Sequence, residues 1–244
     1  MRKKSEHKGR VFHFSGGRTS AYMVIHFWQP GDLVIFCDTG RENKDTYRFI
    51  SDFQKYTSIP VIILKSDWRK EVIIAEKMLP NRFKRKCTIN LKIRKARRYL
   101  RSIGWFRYEQ FIGFRHDEQY RIKGYITHWQ AVTTTFILDQ FLIEKPTIIN
   151  YFSFLFWDLK IQAIQGNCNL CFQKGEAAII ALIQNEPGIE NEWIEDEENK
   201  EINPNGYTYF KGVTIRRLSE IAYTSKTKYD LKNFTPKFSC SCTS

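Results

Sequence analysis

The sequence predicts an α/β protein with a Rossmann-like parallel sheet and crossover helices, followed by a smaller, mainly helical region that carries cysteines. Short apolar segments alternate with helical patterns through the first half of the chain, which is typical of parallel sheets. Four of the six cysteines lie beyond residue 150, where this alternation ends. The 244 residues are enough for one large domain or for a core with an appendage. We therefore predict an α/β domain over residues 9–150 and a second region over residues 151–244.

The strands are predicted from short, uninterrupted apolar segments. Such segments are typical of strands that are buried on both faces of a parallel sheet. They occur at residues 11–14, 33–37, 61–64 and 111–114. Ligands of open α/β sheets bind beyond the carboxyl ends of the strands, so residues that follow these segments are the first candidates for a site.

The helices are predicted from apolar residues that recur every three or four positions. Ala21, Ile25 and Trp28 follow this spacing, and residues 47–54 follow it as well. A longer series predicts a helix over residues 89–103 with one apolar face, formed by Ile89, Ile93, Ala96, Leu100 and Ile103. A further helix is predicted at residues 175–183. The acidic residues 186–201 are predicted to form a solvated loop or insert.

The charge balance favours a polyanionic partner. The chain has 39 basic and 26 acidic residues, a formal net charge of +13. The segment from Asn81 to Arg101 contains ten lysines or arginines and no acidic residue, so we predict that it binds DNA or tRNA; an ordinary solvated helix face is the alternative. No apolar stretch is long enough for a membrane span or a signal-peptide core, and a cytoplasmic protein without membrane contact is expected.

The sequence Ser-Gly-Gly-Arg-Thr-Ser lies where the first strand should pass into a helix. Glycines let the backbone approach an anion closely, and the following helix offers free N–H groups and a partial positive charge. The turn lacks the lysine of a GxxxxGK[ST] loop. It predicts a phosphate site, with a purely structural glycine turn as the alternative, at Ser15, Gly16, Gly17, Arg18, Thr19 and Ser20.

This turn resembles the pyrophosphate loop (PP-loop), SGGxxS, of the adenine nucleotide alpha-hydrolase superfamily, which includes ATP pyrophosphatases and phosphoadenosine-phosphosulfate (PAPS) reductases. Thr19 stands where many ATP pyrophosphatases have aspartate. The sequence Asp38-Thr39-Gly40, followed by Asp45-Thr46, resembles the DTG and ET motifs of PAPS reductases. The resemblance implies a HUP-type core over residues 9–150 that binds ATP or an adenylyl sulfate nucleotide, with Mg²⁺ as a further candidate. It also implies that Asp38, Thr39 and Gly40 lie beside the nucleotide.

A third motif follows the strand predicted at residues 111–114. Gly113-Phe114-Arg115, with Arg121 behind it, resembles the GxRxxQSxxR stretch of the reductases but is one residue shorter. The resemblance implies that Arg115 and Arg121 face phosphate or sulfate. A guanidinium can bind such oxygens through two parallel hydrogen bonds. A salt bridge from Arg115 to Asp117 or Glu118 is the alternative.

The cysteines predict a metal centre. Cys87 and the CxxC of Cys168 and Cys171 resemble ligands of the [4Fe–4S] cluster in adenylyl-sulfate reductases, although only one cysteine of an adjacent pair is present at Cys87. The fourth iron would then be open, as in relatives that thiolate tRNA, or be bound by Cys240 or Cys242. Structural zinc bound by the CxxC and the terminal CxC is the alternative, and uncomplexed buried thiols are a third. Cys37, within an apolar segment, is expected in the core.

The resemblance leaves three functions open. The first is thiolation or phosphorothioation of nucleic acid after its adenylylation by ATP, with a sulfur-donor protein as a further partner. The second is reduction of PAPS or adenylyl sulfate to sulfite, in which Arg115 would hold the sulfate and Cys240 or Cys242 would attack the sulfur. The terminal Cys-Ser-Cys lacks the ECG-type motif of the reductases. The third is a non-catalytic module that binds nucleotide or nucleic acid.

Overall fold

The computed structural model describes residues 9–125, 131–162 and 164–231. One parallel sheet has the strand order β3-β2-β1-β4-β5, and its strands are β1 (Arg10–Phe14), β2 (Leu33–Asp38), β3 (Ile62–Lys65), β4 (Tyr108–Ile112) and β5 (Val132–Thr135). The chain runs outward from β1 to β3 and then returns to the other side of β1. This reversal of strand order places a topological switch point between β1 and β4. The predicted α/β, Rossmann-like fold is confirmed.

Helices connect these strands and form most of the C-terminal region. They are α1 (Arg18–Phe27), α2 (Lys44–Thr57), α3 (Arg94–Ser102), α4 (Gln119–Lys123), α5 (Ile137–Gln140), α6 (Lys145–Ser153), α7 (Glu176–Asn185), α8 (Asn191–Glu198) and α9 (Ile215–Thr224). Two π-helical turns, Arg69–Ile74 and Thr88–Ile93, and a 3-10 turn, His116–Glu118, complete the set. Within the described ranges, no helix is both long and apolar enough to cross a bilayer.

All four predicted strands are present, but the last one lies earlier than expected. β4 ends at Ile112 rather than at Phe114. The fifth strand was missed because its sequence, Val-Thr-Thr-Thr, has only one apolar residue. β5 is at the edge of the sheet, where Val132 is buried and the three threonines are not. An edge strand needs fewer apolar residues than a central one, so the apolar pattern is weak there.

The predicted continuous apolar face over residues 89–103 is wrong at both ends. Ala96 and Leu100 are buried, but Ile89, Ile93 and Ile103 are exposed. Residues Thr88–Ile93 form a π-helical turn, whose wider i→i+5 hydrogen-bonding pattern rotates the side chains away from their α-helical positions. Leu91 is therefore buried in place of the two isoleucines.

The core consists of apolar clusters that combine distant parts of the chain. Phe12 and Phe36 of the sheet pack in one cluster with Phe152 and Trp157. A second cluster joins residues of the first half, such as Trp68 and Val72, with α7, α8 and α9. The boundary predicted at residue 150 falls within α6, and the division into residues 9–150 and 151–244 stays a prediction.

The acidic residues 186–201 do not form the predicted solvated loop. They contain α8, whose Trp193 and Asp196 are fully buried. The Asp196 carboxylate accepts hydrogen bonds from Arg41 Nη2 at 2.8 Å and from Arg69 Nε at 2.7 Å. It also accepts one from the Tyr209 hydroxyl at 2.9 Å. The two arginines lie 155 and 127 residues away in sequence, so the acidic segment alone does not predict these ion pairs.

We predict that Asp196→Asn lowers the free energy of unfolding by about 3–5 kcal/mol, because the buried Arg41 guanidinium loses its buried counter-charge and keeps only the exposed Glu192 as an acidic partner. The matched control is Glu195→Gln. Glu195 also pairs with Arg69, but at an exposed position, where an ion pair contributes little. Urea unfolding at pH 7 measures both variants. Equal effects of the two substitutions would contradict the assignment of Asp196 as a buried counter-ion.

Candidate functional site

A cavity of about 530 Å³ opens at the carboxyl ends of β1 and β4, beside the topological switch point. Its walls bring together the glycine turn, the basic segment and the motif that follows β4. The lining residues are His13, Ser15, Ser20, Arg85, Thr88, Lys92, Ile112, Gly113, Phe114, Tyr120, Arg121, Gly124 and Tyr125. Cationic side chains thus face a cavity at the place where open α/β sheets bind their ligands.

The turn from Ser15 to Ser20 is held in shape by its own hydrogen bonds. The Ser20 hydroxyl accepts a hydrogen bond from the Ser15 N–H at 3.0 Å and donates one to the Gly17 carbonyl at 3.0 Å. Gly16 has a φ of +77°, and a Cβ there would lie 2.6 Å from Thr46 Cγ2. Glycine is therefore required at Gly16 both by the backbone conformation and by the space available.

Helix α1 begins at Arg18, directly after this turn. Its N-cap residue is Gly17, and no described side chain caps the helix. The first N–H groups and the positive end of the helix dipole are therefore close to Ser15 and Ser20, which line the cavity. Helix N-termini of this kind bind phosphate in other proteins, and the phosphate site at this turn stays a prediction.

The side chains of Arg18 and Thr19 are bound within the protein. The Arg18 guanidinium donates two hydrogen bonds to the Asp158 carboxylate, at 2.6 and 2.8 Å, and contacts the Leu159 carbonyl. The Thr19 hydroxyl accepts a hydrogen bond from Arg115 Nη1 at 3.3 Å. The Arg18 contacts hold residues 158–159 against the turn, so this side chain stabilises the position of the turn.

The motif Asp38-Thr39-Gly40 lies at the carboxyl end of β2, next to the turn. Asp38 Oδ1 accepts hydrogen bonds from the Gly40 N–H at 2.8 Å and from the Tyr47 hydroxyl at 2.7 Å. Burial and the bond to Asp38 raise the pKa of Tyr47. The Thr39 hydroxyl donates to Glu42 Oε1 at 2.9 Å. The motif is thus a rigid turn with buried acidic groups.

The two predicted anion-binding arginines differ in their surroundings. Arg115 is buried, and its guanidinium pairs with Asp117 at 2.9 Å and with Glu118 at 3.4 Å. The salt bridges considered as its alternative role are therefore present. Arg121 lines the cavity, bonds to Glu118 at 2.7 Å and lies 4.0 Å from the Phe114 ring centroid. Of the two side chains, Arg121 is the one placed to meet a ligand.

Several lining residues were not predicted from the sequence. His13 is one: its Nε2 donates to Gln110 Oε1 at 3.1 Å. Burial lowers the pKa of His13, so its imidazole is neutral at pH 7. The only signal in the sequence is a polar residue between the apolar Phe12 and Phe14. Arg85 and Lys92 also line the cavity and come from the basic segment, which had been predicted as a nucleic-acid surface.

The CxxC loop lies against the glycine turn. Residues 41–43 and 167–169 form a short antiparallel pairing in which Glu42 is opposite Cys168. From this loop, the Asn167 side-chain amide donates to the Ser15 carbonyl at 2.5 Å. The buried Lys174 ammonium donates to the backbone carbonyls of Cys168 and Asn169, at 2.5 and 2.9 Å. The loop is therefore fixed at the carboxyl end of the sheet, beside the glycine turn.

The remaining cysteines differ in environment. Cys87 is half-buried and packs against the same apolar cluster as Cys168, whereas Cys171 is buried. Cys37 is buried in β2, as expected, and burial raises its thiol pKa to about 11, so this thiol stays protonated at neutral pH. Cys240 and Cys242 lie outside the described residues. Among residues 9–125, 131–162 and 164–231, no group of three potential ligands has metal-site geometry.

Comparison with known proteins gives one family and several relatives. Residues 9–134 match the model of the phosphoadenosine phosphosulfate reductase domain, just over half of the chain. The chain is 27% identical over 212 residues to the uncharacterized nin region protein ORF290 of Escherichia phage lambda, covering 74% of this chain and 71% of that protein.

Two solved structures are similar at a lower level. One is a PAPS reductase from Candida auris in a phosphate complex, with 14% identity and a TM-score of 0.42, covering 59% of this chain and 71% of that one. The other is the U34-tRNA thiolase NcsA from Methanococcus maripaludis with its [4Fe–4S] cluster. It has 17% identity and a TM-score of 0.43, and the match covers 75% of this chain and 68% of that one. At these scores neither similarity bears on function.

We predict that Gly16→Ala weakens binding of ATP at least tenfold, because the new methyl group collides with Thr46 and displaces the turn. The matched control is Gly212→Ala. Gly212 has a similar φ of +83°, but no described atom lies within 4 Å of the position of its added Cβ. Calorimetric titration with ATP measures both variants. Wild-type affinity in Gly16→Ala would show that the turn is not the phosphate site.

Proposed function

We propose a sulfur-transfer function for this chain on the premise that it belongs to the phosphoadenosine phosphosulfate reductase domain family. The favoured reaction is adenylylation of a nucleic acid by ATP, followed by its thiolation or phosphorothioation. One observation carries the proposal: the cysteine loop is hydrogen-bonded directly to the glycine turn, through Asn167 and Ser15. The turn that we propose as the phosphate site and a pair of thiols are therefore adjacent at one end of the sheet.

The cavity suits an adenine nucleotide in size and in charge. A volume of about 530 Å³ is typical of small-molecule sites. In the proposal, N–H groups at the start of α1 bind the phosphates of ATP, as helix N-termini do in other nucleotide sites. Arg85, Lys92 and Arg121 would neutralise the remaining phosphate charge. Mg²⁺ would be brought to the site with ATP.

Cys87, Cys168 and Cys171 are the residues that would hold an iron–sulfur cluster. Cys87 and Cys168 pack on one apolar cluster. The three thiols do not form a group with metal-site geometry in the described residues, so the assignment rests on the resemblance of the cysteine motifs. Thiolates in an apolar setting are the donors that clusters require. When bound, a [4Fe–4S] cluster would supply a place for inorganic sulfide. Zinc is the alternative, with Cys240 and Cys242 completing four thiolates around it.

The proposed reaction is a pair of substitutions that needs no external oxidant. An oxygen of the nucleic acid attacks the α-phosphorus of ATP, and pyrophosphate leaves from the glycine turn. Sulfide, delivered by a donor protein, then attacks the carbon or phosphorus atom that bears the adenylylated oxygen. A bond from that atom to sulfur forms, its bond to oxygen breaks, and AMP leaves with the original oxygen. Cationic side chains beside the cavity stabilise the charge that develops on both leaving groups.

The proposed nucleic-acid surface extends beyond the cavity. Several cations of residues 81–101 are paired, as in Lys86 with Glu76 and Lys95 with Glu71, so the surface is less positive than the sequence suggested. Next to it, a groove of about 750 Å³ is lined by Arg82, Phe83, Tyr207 and Lys211, among others. Phe83 is 92% exposed. An exposed ring among cations is typical of sites where unpaired bases stack.

We predict that Phe83→Ala weakens binding of single-stranded DNA or RNA by about 1–3 kcal/mol, or 5- to 150-fold, through loss of base stacking. The matched control is Phe106→Ala. Phe106 is also exposed, but it precedes β4 and so lies at the opposite end of the sheet. Fluorescence anisotropy with a labelled oligonucleotide measures both variants. Equal affinities of Phe83→Ala and wild type would remove Phe83 from the proposed interface.

A second candidate function is reduction of a sulfonucleotide to sulfite, which the family match favours. The same cavity would then hold the phosphates and sulfate of PAPS. The attacking thiolate would come from Cys240 or Cys242, which lie outside the described residues. This reaction needs electrons from a dithiol protein such as thioredoxin and no nucleic acid.

The test of the proposed function is anaerobic purification with iron and sulfide analysis, followed by assays of both reactions. We expect iron and acid-labile sulfide, and pyrophosphate release from ATP only when DNA or tRNA is added. Cys168→Ser should abolish thiolation, whereas Cys37→Ser, which alters a buried thiol of β2, should retain it. Sulfite release from PAPS with thioredoxin would select the reductase instead. ATP binding without turnover under either condition would indicate a binding module.

A further inference from the structure

We propose that His13 makes the cavity specific for the sugar of its nucleotide, because its Nδ1 accepts a hydrogen bond from a ribose hydroxyl. The inference rests on the nucleotide site of the proposed function and names the part of the ligand that His13 contacts. Neither the sequence motifs nor the family match assigns a role to this residue. Three features of the structure carry it: a fixed tautomer, the chemistry of the cavity walls, and the distance of His13 from the glycine turn.

The His13 side chain lies on a face of the sheet that is otherwise apolar. Side chains alternate between the two faces along a strand, and Val11, two residues earlier, is buried in a cluster with Ile35 and Cys37. His13 follows on the same face but lines the cavity. A histidine in such a place needs hydrogen-bond partners for its ring nitrogens.

The hydrogen bonds around His13 determine which ring nitrogen carries the hydrogen. Gln110 is buried, and its Nε2 donates to the Tyr125 hydroxyl at 3.0 Å and to the Thr134 hydroxyl at 2.8 Å. The amide therefore presents Oε1 to His13 Nε2, at 3.1 Å. Because a carbonyl oxygen only accepts, Nε2 carries the hydrogen. The ring is neutral, since burial lowers the pKa of His13, and Nδ1 is an acceptor without a partner in the part of the chain that the structure describes.

The other side chains of the cavity wall are donors. Arg85, Lys92 and Arg121 only donate, and the described lining contains no carboxylate. The hydroxyl groups of the lining can donate as well as accept. Nδ1 of His13 is thus the one side-chain atom of the described lining that accepts and never donates. The donors suit phosphate oxygens, whereas this acceptor suits an O–H or N–H group of the ligand.

The position of His13 selects the ribose among the donor groups of a nucleotide. His13 lies two residues before Ser15, a distance of about 7 Å along an extended strand. In a nucleotide the ribose directly follows the phosphates, and the amino group of adenine lies beyond it. With the phosphates at the start of α1, the ribose hydroxyls are the donors nearest to His13. A smaller cavity of about 100 Å³ shares His13, Ser15 and Lys92 with the larger one, which leaves space beside the imidazole.

The contact would also discriminate between sulfonucleotides. A neutral acceptor favours a hydroxyl over a phosphate, because the phosphate brings negative charge against the lone pair of Nδ1. If the 3′-hydroxyl is the donor, the site prefers ATP and adenylyl sulfate to PAPS, in which that oxygen carries a phosphate. If the 2′-hydroxyl is the donor, PAPS keeps the contact.

The test measures binding of ATP, 2′-deoxy-ATP, 3′-deoxy-ATP and inosine triphosphate by calorimetric titration. In His13→Gln the new amide can still donate to Gln110, but no acceptor stands at the place of Nδ1. In His13→Asn the side-chain oxygen replaces Nδ1 as acceptor. The matched control is His26→Gln. Burial lowers the pKa of His26 as well, but His26 lies on α1 and does not line this cavity.

We expect wild type and His26→Gln to bind one of the two deoxynucleotides about tenfold more weakly than ATP, through loss of one hydrogen bond. His13→Gln should bind that deoxynucleotide and ATP equally, and His13→Asn should regain part of the difference. If His13→Gln does not fold, the comparison of ligands on wild type and His13→Asn still decides.

Equal affinities of wild type for ATP and both deoxynucleotides would overturn the inference and leave the proposed function intact. The same holds if His13→Gln discriminates as wild type does. It also holds if His13→Gln loses only a preference for ATP over inosine triphosphate, which would assign His13 to the base. A wild-type protein that binds none of the four nucleotides would overturn the proposed function together with the inference.

Discussion

Two backbone hydrogen bonds, between Asn43 and Asn167 and between Asn169 and Arg41, hold the cysteine loop at the end of the sheet. The Arg41 side chain fixes this pairing from one side, because its guanidinium lies 5.8 Å from the Trp68 ring centroid and 5.4 Å from that of Trp193. Asp196 supplies the buried counter-charge. Together with the hydrogen bonds of Asn167 to Ser15 and of Lys174 to Cys168, this pairing sets the position of the cysteine loop relative to the glycine turn. The chemistry that we propose depends on that position.

The elements that could be predicted are those determined by neighbouring residues. The apolar strands and the glycine turn are such elements, since burial on both faces and a positive φ leave a local signature. The roles of Arg18 and Arg115 could not be predicted in the same way. Arg18 pairs with Asp158, 140 residues away, and such a partner is set by the tertiary fold. The π-helical turn at Thr88–Ile93 is a similar case, because its apolar spacing still resembles that of an α-helix.

Net charge was a poor guide to where charge is exposed. The acidic residues of α8 are partly buried as counter-ions for Arg41 and Arg69. Glu71 and Glu76 are likewise counter-ions for cations of residues 81–101, since Glu71 pairs with Lys95 and Glu76 with Lys86. Three cations line the cavity, Arg85, Lys92 and Arg121, and two of them are also paired, Lys92 with Glu42 and Arg121 with Glu118.

The shared core of the two halves has a consequence for how the protein is made. Trp68 and Val72 pack against Ile179 and Leu218, which leave the ribosome much later in synthesis. During that interval these side chains remain uncovered, although the first strands of the sheet can already pair. A nascent chain in this state exposes an aggregation-prone apolar surface until α9 is complete. Binding by a chaperone during translation would protect it over this period.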